Sequence, residues 1–198
     1  MVKTIHLVRH GHHALLDHRL CGRMPGIGLD ELGWRQMSLC ADALTPLPTA
    51  IQSSPRRRAQ QSAAILAARF GLAVKTVAAM DEIDLGDWTA RTFDELSDDP
   101  DWRCWNNRRS SSRPPKGETM RSLQQRVVRH LEQSFNDESE RTLAIVSHAE
   151  PIRAALLHYS AISLDDFLSI AVEPASISTL AASGGCIHVS GINQWVPA

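Results

Sequence analysis

The hydrophobic pattern opens on a near-continuous apolar run: Val2 to Val8, after Lys3, reads as a largely buried strand. Asp30 is a good N-cap for a helix from about Glu31 to Leu44, with Leu32, Leu39, Ala43 and Leu44 on its apolar side and Pro46 and Pro48 ending it. Thr49 to Ser53 is a short strand that feeds into Ser54-Pro55, an N-cap followed by proline at the first helical position. The next helix carries Ala59, Ala63, Ile65, Leu66 and Phe70 and stops at Gly71, and Ala73 to Val77 makes another strand. After Gly117, Met120, Leu123, Val127, Leu131 and Phe135 recur at helical spacing, which leaves Arg121, Arg126 and Arg129 for solvent. Thr142 to Val146 is a further buried strand, and a helix follows over Pro151 to Leu157. The tail alternates through Ile177–Ala181, Gly184-Gly185 and Ile187–Val189 as an edge hairpin would.

Alternation of this kind predicts an α/β three-layer sandwich: a mostly parallel sheet with helices on both faces. The stretch from about 98 to 116 interrupts it with Trp102, Trp105, several arginines, three serines and Pro114-Pro115, and reads as a cap or lid insertion. A chain of 198 residues can bury one sizeable core, so residues 1–198 are expected to form a single domain with that insertion.

Charge narrows the partners. With 21 basic and 22 acidic side chains the formal net charge is -1, which offers no basic field for nucleic acid or an anionic membrane. The partner expected is a small phosphorylated solute, and a homodimer is the one assembly left open. The apolar run at the start is too short for a signal peptide, and no later run reaches membrane-spanning length. Cys21, Cys40, Cys104 and Cys186 stand apart without C-x-x-C spacing, as in a reduced, cytoplasmic protein.

Two predicted strands end on a histidine: Leu7-Val8-Arg9-His10-Gly11 and Ile145-Val146-Ser147-His148-Ala149. Ligands of open α/β sheets bind beyond the carboxyl ends of the strands, so the two histidines can face each other there. Arg56, Arg57 and Arg58 fall in the first turn of a helix, where each cation costs about 0.3 to 1 kcal/mol against the macrodipole. A bound anion offsets that cost, since free N–H groups and guanidinium forks both suit phosphate. An imidazole can attack a phosphoryl group while arginines neutralise its oxygens. The leaving oxygen then needs a proton, and one of Asp81, Glu82, Asp84 and Asp87, set near an apolar wall such as Trp88, can hold one.

These motifs together resemble the histidine phosphatase, or phosphoglycerate mutase-like, superfamily over nearly the whole chain, and within it the small α-ribazole phosphatase type. Its arginine-histidine-glycine hallmark is similar to Arg9-His10-Gly11, with Leu29, Gly33 and Gln36 following. Its serine-proline and arginine-alanine signature resembles Ser54 to Ala59, its acidic motif aligns with Glu82, and its second-histidine motif resembles Ser147-His148 with Pro151-Ile152-Arg153. Glu118 in Lys116-Gly117-Glu118-Thr119 resembles a further family motif.

The resemblance implies a metal-independent phosphomonoesterase with no cofactor. A phosphohistidine forms on His10, Arg9, Arg58 and His148 surround the phosphoryl group, and Glu82 donates the proton. Gly11, His13, Arg23 and Ala149 join as substrate-binding residues. Where the family has an acidic residue or glutamine and then threonine or serine, His12 and His13 stand here; Leu16 replaces a frequent asparagine, and Trp88-Thr89-Ala90 a tryptophan-glutamate-glycine ending. These departures bear on substrate choice rather than reaction class.

Three other readings compete with this one. His10, His12, His13 and His18 crowd one loop as metal ligands do, yet no H-E-x-x-H or cysteine partner accompanies them. A non-catalytic phosphate-binding module would not need all five core residues. Mutase-type phosphoryl transfer shares the chemistry, but mutases resemble longer chains with extra loops. The substrate is unnamed by the sequence; Trp102 to Arg113 can stack a ring and hold a second anion, as a nucleotide-like or sugar phosphate requires.

Overall fold

The computed structural model describes residues 4–137 and 141–194. Val2 and Lys3 of the first expected strand lie outside the described residues. Six strands form one sheet: β1 (Thr4–Arg9), β2 (Ala50–Ser53), β3 (Val74–Thr76), β4 (Thr142–Ser147), β5 (Ile177–Ser183) and β6 (Cys186–Gln194). Their spatial order is β3-β2-β4-β1-β5-β6, parallel from β3 to β1 and antiparallel through β5 and β6. The mostly parallel sheet with an edge hairpin is therefore what the chain folds into, and Gly184 and Gly185, both at positive φ, make the tight turn between the last two strands.

The period of two along each strand sorts side chains to the two faces. Ile5, Leu7, Leu143 and Ile145 pack with helices α5 (Met120–Asn136) and α6 (Ala149–Tyr159), while Val8, Ala144 and Val146 pack with α1 (Glu31–Ala43) and α2 (Arg57–Phe70). His6 shows that a buried histidine need not be functional. Its Nε2 lies 2.9 Å from Pro46 O and its Nδ1 3.1 Å from Thr179 Oγ1, so it is a satisfied core group.

Helix α1 is rotated relative to the apolar side expected from its leucines. Gly33, Gln36, Met37, Cys40 and Ala41 face inward, whereas Leu32 is exposed and Leu39 and Ala43 are half-buried. The cause is backbone contact. A Cβ on Gly33 would stand 2.1 Å from His12 O, so only glycine lets the helix sit against the loop after β1, and that seat brings Gln36 Oε1 to accept from His12 N at 2.9 Å. Gly33→Ala is expected to lower stability by about 1–3 kcal/mol, through overpacking against backbone that cannot yield. A urea unfolding midpoint equal to that of the wild type would contradict this.

Ser54 does not cap α2. That helix starts at Arg57, with Arg56 at the cap position and no side-chain cap bond, because Ser54 N–H extends the sheet to Val146 O (2.9 Å) and its hydroxyl faces His148. A short helix α3 (Phe93–Leu96) precedes the interrupting stretch, and α4 (Pro100–Asn107) lies within it. Trp88 meets Trp102 edge-on at 5.4 Å and Trp105 at 6.2 Å, and Trp105 is buried in the core cluster. The stretch is thus ordered by its own aromatic packing. Trp105 is a core side chain that also borders the cavity holding His10, as Trp102 does.

Candidate active site

Strand register assembles the site. Arg9 pairs with Ser147 across β1 and β4, and His10 N–H donates to Ser147 O at 3.0 Å, so the two strand-end histidines sit side by side with ring centroids 5.0 Å apart. Beyond β2, the neighbour of β4, the chain turns into α2 and delivers Arg58; beyond β3 it delivers Glu82. A cavity of about 410 Å³ is lined by His10, Arg9, Arg58, His13, Glu82 and Ala149, among others.

The tautomer of His10 is determined by its partners. Nδ1 lies 2.8 Å from Gly11 O, a carbonyl that can only accept, so Nδ1 carries the proton. Nε2 is left with a lone pair, consistent with Arg58 Nε donating to it at 3.2 Å. Burial first, and then the Arg58 and Arg9 guanidiniums, hold the His10 imidazole well below its ordinary pKa. His10 is therefore a neutral imidazole with its free nitrogen beside a cation.

Around that nitrogen, buried nitrogens converge without partners, two of them guanidinium donors. Among the described residues Arg9 Nε, Arg58 Nη1, His13 Nδ1 and His148 Nδ1 are buried nitrogens with no hydrogen bond, while Arg58 Nη2 donates to Gly22 O and Arg9 Nη1 to Val172 O. Buried polar atoms left open in this way incur a desolvation penalty that an anionic ligand relieves. A phosphoryl group has the charge and the oxygens to fill them. Burial, then Arg58, also pushes the His13 imidazole down to about 4.

His148 is held from behind: its Nε2 lies 2.7 Å from Ser54 Oγ, Ser54 donates to Asp81 Oδ1 at 3.3 Å, and Arg56 grips Asp81 through Nε and Nη2 at 2.9 and 2.8 Å. Of the four carboxylates expected near the site, Asp81 is spent on Arg56, Asp87 pairs with exposed Lys116, and Asp84 is half-exposed beside Arg23. Only Glu82 lines the cavity. Burial, reinforced by the Glu150 carboxylate, raises its pKa to about 8, so it carries a proton at neutral pH.

Not every residue expected here arrives. Arg23 is absent from the cavity wall; its Nε donates to Glu82 O at 2.8 Å and its Nη2 to Glu118 at 3.0 Å, so it supports the acid loop instead. Gly11 is buried behind His10, with its N–H on Ser62 Oγ, and acts through the carbonyl that orients the ring. Arg126, expected in solvent, binds Glu118 with Nε and Nη2, Ala79 O with Nη1 and Glu82 O with Nη2. Helical period alone could not find it, because it sits at the edge of the apolar stripe. The loop histidines do not gather as metal ligands either: His12 turns to Asp30 at 2.6 Å and His18 is exposed. Glu150, directly after Ala149 in the first turn of α6, was overlooked although its position beside His148 could have signalled it.

Comparison with known proteins identifies the family and the fold. The family model described as histidine phosphatase superfamily (branch 1) matches residues 5–194. A bifunctional protein of Mycobacterium tuberculosis is 32% identical over 153 residues, 76% of this chain and 42% of that protein, so the chain spans less than half of that relative's length. Phosphoserine phosphatase 1 of Hydrogenobacter thermophilus is 31% identical over 186 residues, covering 91% of this chain and 86% of the relative. The α-ribazole phosphatase structure from Shigella flexneri superposes with a TM-score of 0.85 at 20% identity, over 98% of this chain and 100% of that one, which is a likeness of fold. The match over nearly all of its length places this chain in the histidine phosphatase superfamily, branch 1.

Proposed function

We propose that the protein is a metal-independent phosphomonoesterase that works through a phosphohistidine on His10. The observation that carries this reading is the His10 Nε2 lone pair, set among the unpartnered guanidinium donors of Arg9 and Arg58 and the imidazoles of His13 and His148. Attack by Nε2 on phosphorus forms the N–P bond as the ester P–O bond breaks. Glu82 gives its proton to the departing alkoxide, and the arginines neutralise charge on the equatorial oxygens. The resulting Glu82 carboxylate then takes a proton from water, whose oxygen attacks phosphorus and releases phosphate, restoring both residues. The named phosphatases among the relatives support hydrolysis over phosphoryl return to the substrate. The proposed substrate is a small phosphorylated metabolite.

Rapid acid-free quenching with a radiolabelled phosphoester tests the intermediate. Label that is lost in acid and stable in base, forming faster than steady-state turnover, is the expected result. An acid-stable label would assign the nucleophile to another residue type.

The pH dependence follows from Glu82. An acid with its folded pKa raised to about 8 is protonated and active below that value, so kcat/KM falls as pH rises through about 8. His10, held well below its ordinary range, remains deprotonated on the acid side. For stability the sign is opposite to that of a salt-bridged carboxylate: the folded state holds the proton more tightly, so wild-type stability declines relative to Glu82→Gln between about pH 4.5 and about 8. A kcat/KM profile flat to pH 10 would remove Glu82 from the acid role.

A further inference from the structure

The cavity that holds His10 and Glu82 continues into a second polar cluster, whose two arginines the chemistry above leaves idle. Arg109, just beyond α4, places its guanidinium carbon 4.6 Å from the Trp105 ring and 4.0 Å from the Phe167 ring, and Arg153 of α6 lies 4.3 Å from the same Phe167 ring. Between them stands Glu150, whose carboxylate is 3.8 Å from Arg109 Nη1 and 3.9 Å from Arg153 Nη1. Both separations are beyond a hydrogen bond.

Their bonding capacity is largely open. Arg109 is only 6% exposed, its Nε has no partner among the described residues, and its Nη2 donates to Asn106 at 2.9 Å. Arg153 donates from Nε to Ile170 O at 2.7 Å, which leaves its two terminal nitrogens. Stacking on aromatic rings fixes the plane of Arg109 and reserves its edges for planar anions. A buried guanidinium with unfilled donors is destabilising until something fills them. All three residues line the cavity of His10, so what they meet is the alcohol portion of the ester.

We infer that Arg109, Arg153 and Glu150 form a subsite for a leaving group that bears its own carboxylate, with a neighbouring hydroxyl or ammonium. The carboxylate sits on the two guanidiniums, and the hydroxyl or ammonium donates to Glu150. Charge selects a carboxylate over a second phosphate: two guanidiniums interleaved with one carboxylate leave a single net positive charge, which one carboxylate balances. A phosphate dianion would leave uncompensated negative charge beside Glu150, whereas a ligand ammonium leaves its excess positive charge facing that carboxylate. This inference rests on the phosphatase reading and narrows its substrates to phosphate esters of small hydroxy acids and amino acids.

The test compares kcat/KM on 3-phosphoglycerate, O-phosphoserine, 3-(phosphonooxy)propionate and glycerol 3-phosphate, which differ in carboxylate, hydroxyl and ammonium on similar skeletons. Wild-type enzyme is expected to favour the carboxylate esters over glycerol 3-phosphate at least about tenfold, and Arg109→Met and Arg153→Met are each expected to erase most of that ratio. Glu150→Gln should instead lower 3-phosphoglycerate or O-phosphoserine relative to the propionate ester; the one that falls further shows whether hydroxyl or ammonium is read. Should Arg109→Met fail to fold because its ring stack is lost, Arg153→Met reads the same ratio. A wild-type ratio near one, or a ratio unmoved in the arginine variants, overturns the subsite. Absence of turnover on p-nitrophenyl phosphate as well would instead overturn the phosphatase reading.

Discussion

His10→Ala is expected to release no phosphate above background and to take up no label from a phosphorylated substrate. A nucleophile that acts as a unit with its neighbours costs on the order of 10⁶ in kcat when removed. The loss should come without unfolding: His10 makes its polar contacts with Gly11 and Arg58, and its truncation leaves the β1–β4 pairing of the backbone in place. Binding offers a further control, since Arg9 and Arg58 keep their unfilled donors. Inorganic phosphate or vanadate should still bind the variant. Formation of an acid-labile phosphoprotein at the wild-type rate by His10→Ala would place the nucleophile elsewhere.

Glu82→Gln carries the second large effect, and its signature is differential. An alkyl ester departs as a poorly stabilised alkoxide, so loss of the proton donor should lower kcat/KM by about 10² to 10⁴-fold. An aryl ester such as p-nitrophenyl phosphate departs unaided and should lose less than about tenfold by the same principle. Glutamine keeps the shape and the bond from Ile83 N–H to the side-chain oxygen, so the variant isolates the proton. Equal losses on both esters would transfer the role. Asp81, however, is already committed to Arg56 and Ser54, and that leaves Glu82 as the carboxyl with a free path to the leaving oxygen.

The sheet was legible because its strands are short apolar runs between clear stops, and the paired strand-end histidines were legible because a charged pair breaks a buried run. What the sequence did not disclose are contacts set by backbone proximity. Gly33 and Gln36 were legible as part of a motif but not for what they pack against: the closeness of Gly33 to His12 turns α1 so that Gln36 is buried and Leu32 is not. Ser54 carried a good helix-start signal but is drawn to His148 by the register of β2 on β4. Arg126 sits in an arginine-rich, outwardly polar helix, and only the fold shows Glu118 and two carbonyls waiting for it. Trp105, with Trp102 and Arg109, looked like one recognition segment. The structure divides them: Trp105 in the core, Arg109 against its ring, and Arg108 exposed. Replacing all of them at once would therefore test folding before it tested specificity.

The pairing of β1 with β4 also has a consequence in time. The first strand reaches the ribosome exit with His10 at its end, but its neighbour on one side is β4 and on the other β5, both encoded far downstream. Such non-local pairing must wait for most of the chain and for the loop-closure entropy between the strands to be met, which puts it late in folding. A nascent or truncated chain that stops before Thr142 lacks Ser147, His148 and the strand that positions His10, so it cannot assemble this cavity. The buried, cation-lined cavity therefore exists only in molecules in which β4 has paired with β1.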